Sequence, residues 1–151
     1  MKSPTAIKLA SPFTAALAKK LEKAAKDVAA NSYSPYSKFR VGAALLATKG
    51  KEQQIFTGTN VENSSYGLTI CAERSAACKA VSEGYTSFIA LCLFTETTEP
   101  CYPCGACCQF LAEFAPALPL LICTKTEVRE RLGLDQLFTR AFHLHTHRPL
   151  V

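Results

Sequence analysis

The chain has 151 residues, 48% of them hydrophobic and 19% charged, a size and balance that fit one globular domain and exclude a disordered chain. Its longest apolar runs, such as Ala117 to Cys123, are far too short to span a bilayer, so no membrane association is expected. A formal charge of +5 admits a nucleic-acid partner, but there is no Arg-rich stripe and no basic patch interleaved with aromatics, and none is expected.

The elements follow in chain order. Phe13, Leu17, Leu21, Ala24, Ala25 and Val28 recur at helical spacing, and Lys19, Lys20, Lys23 and Lys26 fit its solvated face. Asn31 to Tyr36, with Pro35, reads as the terminating loop. Val41 to Ala47 has the length of a buried strand, and Lys49-Gly50-Lys51 turns the chain into a second strand, Gln54 to Thr59. Asn60 to Ile70 is a polar loop. Cys71 to Ser82 is a helix closed by Glu83-Gly84-Tyr85. Phe88 to Phe94 is a strand candidate, Thr95 to Gly105 a loop, and Cys107, Phe110, Leu111 and Phe114 share one face of a third helix. Leu118 to Cys123 is a further strand, and the pattern weakens after Thr124. Strands alternating with helices predict one α/β layered domain over 1–151 with part of its sheet parallel, the first ten residues or so and the tail after 143 being flexible.

Eight cysteines without a secretion signal argue against a disulfide framework and for a cytoplasmic protein. Cys78, Cys92 and Cys123 lie in apolar stretches and read as buried small hydrophobes. Four others crowd into Cys101 to Cys108, a density that suggests metal chemistry. Cys104-Gly105-Ala106-Cys107 opens one helix and Cys71-Ala72-Glu73 another, and helix N-termini help keep thiolates ionised for zinc. Three cysteine ligands leave a fourth position open, as in a catalytic zinc site. Glu73 stands two residues from one ligand, where it can take a proton from water and pass it to a substrate. Three thiolates overbalance Zn²⁺, so Arg74 is read as hydrogen-bonding a ligand sulfur and offsetting the charge. The rival arrangement recruits Cys101 as a fourth ligand and closes the site as a structural zinc module in which Glu73 has no part.

Ser34-Pro35-Tyr36-Ser37-Lys38-Phe39-Arg40-Val41-Gly42-Ala43-Ala44, Asn60-Val61-Glu62-Asn63, Cys71-Ala72-Glu73-Arg74 and Pro103-Cys104-Gly105-Ala106-Cys107 together resemble the small homotetrameric cytidine deaminases. The resemblance implies a three-layer fold with a mixed five-stranded sheet flanked by helices. It also implies one zinc per subunit on Cys71, Cys104 and Cys107, with Glu73 as proton shuttle. By the same likeness Asn60 and Glu62 hold the ribose 3′-hydroxyl, Phe39 packs on the pyrimidine and the Ala72 backbone bonds the base. Tyr66 lies near the sugar and Phe142 closes a site across a subunit interface. The implied reaction is hydrolytic deamination of cytidine or deoxycytidine, with an analogue such as blasticidin S as the alternative substrate. A grip on the 3′-hydroxyl argues against a polynucleotide.

Some positions depart from the family pattern. Tyr102 replaces the usual Ser beside the pocket, a change that can alter substrate preference, and Cys108 replaces the usual Arg, which removes a positive charge near the metal helix and puts local packing or subunit contacts in doubt. Thr126 to Leu132 is more charged than the family's last hairpin, making the fifth strand the weakest expectation. His143-Leu144-His145-Thr146-His147 reads as an exposed tail.

Overall fold

The computed structural model describes residues 13–126 and 129–143. The first helix, α1 (Ala15–Ala29), starts at Thr14, whose hydroxyl accepts a bond from the Leu17 amide at 3.1 Å and so satisfies an end group the helix cannot pair itself. Ala18, Leu21, Ala25 and Ala29 form its buried stripe, and all four lysines of the predicted solvated face are exposed. Strands β1 (Val41–Lys49) and β2 (Glu52–Thr59) form the expected hairpin, turning at Gly50 in the left-handed region. Helix α2 (Ala72–Ser82), strand β3 (Ser87–Thr95), helix α3 (Gly105–Ala112) and strand β4 (Pro119–Thr124) follow, each within a residue or two of expectation. Beyond them lie β5 (Arg129–Gly133) and the single turn α4 (Leu134–Leu137).

The strands make one mixed sheet in the order β2-β1-β3-β4-β5. Only β3 and β4 are parallel; the other three pairings are antiparallel. Because side chains alternate across a strand, the central strands feed two layers. Val41, Ala43, Leu45, Leu91, Leu93, Leu120 and Ile122 pack with α2 and α3, whereas Ala44, Leu46, Ala90, Cys92, Leu121 and Cys123 pack with α1. The result is helix, sheet, helix pair: the three-layer α/β architecture expected.

Two glycines set how closely the layers approach. A Cβ on Gly42 would lie 1.9 Å from the Ala25 carbonyl oxygen, so α1 rests directly on the backbone of β1. A Cβ on Gly58 would lie 2.3 Å from the Ala76 nitrogen and 2.7 Å from the Ala72 oxygen, so the first turns of α2 rest on β2 in the same way. Gly58 thereby fixes the depth of the helix end that carries Cys71 and Glu73.

The fifth strand is present despite its charge. Its residues alternate: Arg129 forks onto Glu22 of α1 at 2.9 and 2.8 Å and the Arg131 guanidinium lies over Phe13, while Leu132 joins the opposite core layer. Periodicity of hydrophobicity misses such a strand because its inward partners on one face are an ion pair and a cation–π contact. Cys92 and Cys123 are buried as expected, but Cys78 is exposed, because it lies on the outer face of α2 whose inner face is Ala76, Ala77 and Ala80. The first ten residues, His145 and His147 lie outside the described residues, so the expectations of flexible ends and an exposed histidine tail fall there too.

Candidate metal centre

Chain direction decides where the cysteines meet. Both β2 and β3 pair antiparallel with β1, so they run parallel to each other and end at the same edge of the sheet. Helix α2 starts beyond the end of β2 and α3 beyond the end of β3, which brings both helix N-termini to that edge. Cys71 and Cys104 occupy the two N-cap positions, in extended conformation and with no side-chain cap bond of their own, leaving their sulfurs to point elsewhere. Two positive dipole ends therefore converge on sulfur.

The sulfurs of Cys71, Cys104 and Cys107 lie within 4.8 Å of one another, with Cys71 and Cys104 at 3.9 Å. Tetrahedral zinc with sulfurs at about 2.3 Å needs neighbours roughly 3.8 Å apart, which the Cys71–Cys104 spacing matches and the rest of the set approaches. Cys101 is not part of that cluster; it is half-buried and its thiol is directed to the Tyr102 carbonyl at 3.9 Å. Cys108 is buried and directs its thiol to the Pro103 carbonyl at 3.5 Å, so the departure from Arg leaves the start of α3 packed. The described residues thus supply three sulfurs to one point, and the closed four-sulfur arrangement is not formed.

Electrostatics divide the cluster. The Cys71 thiol is held down at about 5, chiefly by a hydrogen bond from Cys107, with Arg74 and Cys104 adding to the effect against burial. The same bond pushes Cys107 up, so without metal the pair shares one proton with the charge on Cys71. Arg74 donates through Nη2 to the Cys71 sulfur at 3.7 Å and to the Thr69 carbonyl at 3.3 Å. Its Nε is buried with no hydrogen-bond partner among the described residues, so the guanidinium depends on the negative sulfurs beside it. Glu73 is only 5% exposed, and its carboxyl is raised to about 7 by burial first and then by the charge of Cys71. A carboxyl poised near neutrality beside a cation site can both accept and release a proton.

The cytidine and deoxycytidylate deaminase zinc-binding region matches residues 16–120. The chain belongs to this family. A probable cytidine deaminase of Dictyostelium discoideum is 58% identical over 93 residues, which cover 58% of this chain and 61% of that protein. The chain thus spans about three-fifths of the length of that curated relative. A cytidine deaminase of Sporosarcina psychrophila is 53% identical over 95 residues, 63% of this chain and 68% of that protein. Among solved structures, cytidine deaminase from Burkholderia pseudomallei superposes with a TM-score of 0.76 at 38% identity, over 82% of this chain and 98% of that one. The zinc-binding family and the three-sulfur cluster agree on the metal.

The remaining residues expected at a deaminase site lie in two loops, at the start of α2 and in the C-terminal segment. Asn60 is buried: its Nδ2 donates to the Phe39 carbonyl at 2.8 Å, and its Oδ1 accepts from Val41 N at 3.0 Å and Ser32 Oγ at 2.6 Å. It therefore ties the loop before β1 to the loop after β2 and sets Phe39, which is half-buried against the α2/α3 core. Glu62 accepts from the amides of Tyr36 at 2.9 Å and Ser37 at 3.2 Å and from the Ser37 hydroxyl, which together hold its carboxyl below the usual range. With Tyr36, Ser37, Tyr66 and Thr69 it lines an open cavity of about 290 Å³. Ala72 is fully buried at the start of α2. Tyr66 is 73% exposed, its ring edge-on to Tyr36 at 5.7 Å, and Phe142 is 56% exposed; both are held at the surface rather than inside the cluster. Sequence reasoning passed over Ser37 and Thr69, since neither a loop hydroxyl nor a backbone carbonyl carries a signal before folding.

Proposed function

We propose that the protein is a zinc-dependent hydrolase that converts cytidine or deoxycytidine to uridine or deoxyuridine and ammonia. The observation that carries this reading is a buried Glu73 carboxyl, raised to about 7, beside three convergent sulfurs, a ligand number that leaves zinc a fourth position for water. Cys71, Cys104 and Cys107 would hold the metal, and its Lewis acidity would make water nucleophilic at neutral pH. Glu73 would take a proton from the attacking water and deliver it to pyrimidine N3 as the water oxygen bonds C4; it would then carry the new hydroxyl's proton to the amine, which leaves C4 as ammonia while the C4 carbonyl of uridine forms. Arg74 keeps the sulfur set from becoming too anionic for this work.

Hydrogen-bond counting supports the sugar grip. Asn60 uses one of its two N–H donors on Phe39, and Glu62 uses three of its roughly four acceptor sites on the 36–37 turn. One donor and one acceptor remain, which suits a ribose 3′-hydroxyl, itself both donor and acceptor. Phe39 then packs on the base, and the backbone of Ala72, at the α2 N-terminus, bonds it. A 3′-hydroxyl held this way leaves no room for a continuing strand, so the substrate is a free nucleoside.

We further propose a homotetramer in which Tyr66 and Phe142 reach neighbouring sites. Tyr33, Tyr36, Val61, Tyr66, Leu68 and Ile70 are all exposed, on loops joined by backbone bridges, an apolar surface of the kind that a second copy covers. The chain 1–151 acts as one domain, in the cytoplasm, in pyrimidine salvage. Among the described residues no helix is long and apolar enough to cross a membrane. The test is loss of ultraviolet absorbance of cytidine with zinc-loaded protein, with deoxycytidine and blasticidin S alongside. Glu73→Ala is expected to retain zinc and lose turnover by roughly 10²- to 10⁴-fold. Substantial turnover by that variant would remove Glu73 from its role, and faster turnover of blasticidin S would move the substrate to the analogue.

A further inference from the structure

Past α4 the backbone has no regular structure over residues 138–143, so its peptide groups need partners from elsewhere. One residue of α3 provides them for Phe142. The Gln109 Nε2 donates to the Phe142 carbonyl at 2.8 Å, and the Phe142 amide donates back to Gln109 Oε1 at 2.9 Å. A carboxamide has a donor and an acceptor side by side, like a peptide group, so this exchange copies on one side chain the reciprocal bonding of an antiparallel ladder. Both bonds engage the backbone of Phe142, not its ring, and the residue stays 56% exposed. An aromatic at a loose chain end gains nothing for a substrate unless something fixes where it stands, because ordering it at the moment of binding costs affinity.

Gln109 also stands two residues beyond Cys107 on the same eight-residue helix. Cys107 and Cys108 are buried while Gln109 is half-buried on the neighbouring face, so α3 turns a sulfur inward to the metal cluster and an amide toward the C-terminal segment. The position of Phe142 is therefore referenced to the rigid element that carries a metal ligand. We propose that Gln109 is a positioning residue: its amide docks the C-terminal segment on α3 and so holds the Phe142 ring ready to enclose substrate in a neighbouring subunit's site. This rests on the reading of Phe142 as a substrate-enclosing aromatic.

The experiment compares Gln109→Ala, Phe142→Ala and the double variant in the full-length, zinc-loaded protein, with cytidine kinetics, zinc content and Tm measured on each. Alanine favours a helix, so Gln109→Ala preserves α3. Loss of two hydrogen bonds lowers the docked fraction, and KM is expected to rise about tenfold with kcat within about twofold and zinc unchanged. Phe142→Ala should raise KM at least as much, and the double variant should match Phe142→Ala rather than multiply the two effects. Multiplying effects, or a fall in kcat together with zinc content, would overturn the proposal by showing that Gln109 acts on something other than Phe142. So would an unchanged KM in Gln109→Ala beside a raised KM in Phe142→Ala. An unchanged KM in Phe142→Ala would instead remove the enclosing role of Phe142, and the proposal with it.

Discussion

The protein brings sulfurs together in two places. At the sheet edge Cys71 and Cys104 are 3.9 Å apart, and in the α1 layer Cys92 and Cys123 are 3.8 Å apart. Distance does not separate them; surroundings do. Cys71 and Cys104 cap two helices, a third sulfur completes the set, and Arg74 stands beside it, so negative charge on sulfur is supported from several sides. Cys92 and Cys123 lie on adjacent strands among Ala44, Leu46, Ala90 and Leu121, fully buried; the bond between them pushes the Cys92 thiol up and the Cys123 thiol down, and among the described residues no third sulfur joins them. Close thiols become a metal centre only where the fold stabilises their ionised form and supplies enough of them.

The strongest way to break this contrast is to remove one sulfur from each region. Cys71→Ala is expected to abolish zinc binding and turnover, measured by metal content and the cytidine assay. Cys123→Ala should leave zinc and turnover within about twofold while lowering stability by about 1 kcal/mol, read from denaturant unfolding. Zinc loss in Cys123→Ala would mean that the buried pair matters to the metal after all. A smaller effect is expected from Arg74→Ala, a decrease of roughly 10- to 100-fold in zinc affinity or turnover. Arg74→Lys should recover only part of it, since Lys keeps the charge but lacks the fork. An unaffected Arg74→Ala variant would leave the helix termini and the neighbouring thiols as the support for the Cys71 thiolate.

The finest distinction is in thiol reactivity after zinc is removed with a chelator. A pKa lowered to about 5 means that Cys71 is ionised above that pH and protonated below it. Iodoacetamide should therefore modify Cys71 readily at pH 7 and at pH 6, fading only as pH falls through about 5. Cys92, pushed up and buried, should remain unmodified across that range in the folded protein. Peptide mapping by mass spectrometry reads both, and equal labelling of the two regions would erase the electrostatic contrast.

Much of this was legible before folding. The core strands β1, β3 and β4 are short apolar runs, and α1 and α2 carry helical periodicity, so local patterning and packing agree. The four motifs, through the family resemblance they carry, point to Cys71, Glu73, Cys104 and Cys107, while spacing by itself leaves Cys101 as a rival ligand. What stayed hidden depends on partners far along the chain. Strand β5 needs Glu22, more than a hundred residues earlier, to satisfy Arg129. Tyr102, a departure of unknown effect in the sequence, bonds Glu130 of β5 at 2.6 Å and ties the loop before Cys104 to the sheet. Cys78 was misjudged because apolar neighbours in sequence do not say which face of a helix is covered.

The sequence by itself determined the inventory: which residues can bind zinc, which can move a proton, and the order of helices and strands. Those properties belong to single side chains and to periodicities within a few turns. Only the tertiary structure decided that three sulfurs converge while Cys101 stays out, since that follows from β2 and β3 ending at one edge of the sheet. It also decided that Glu73 is buried and raised, and that Gln109 meets Phe142, because burial and long-range pairing exist only once the layers have closed.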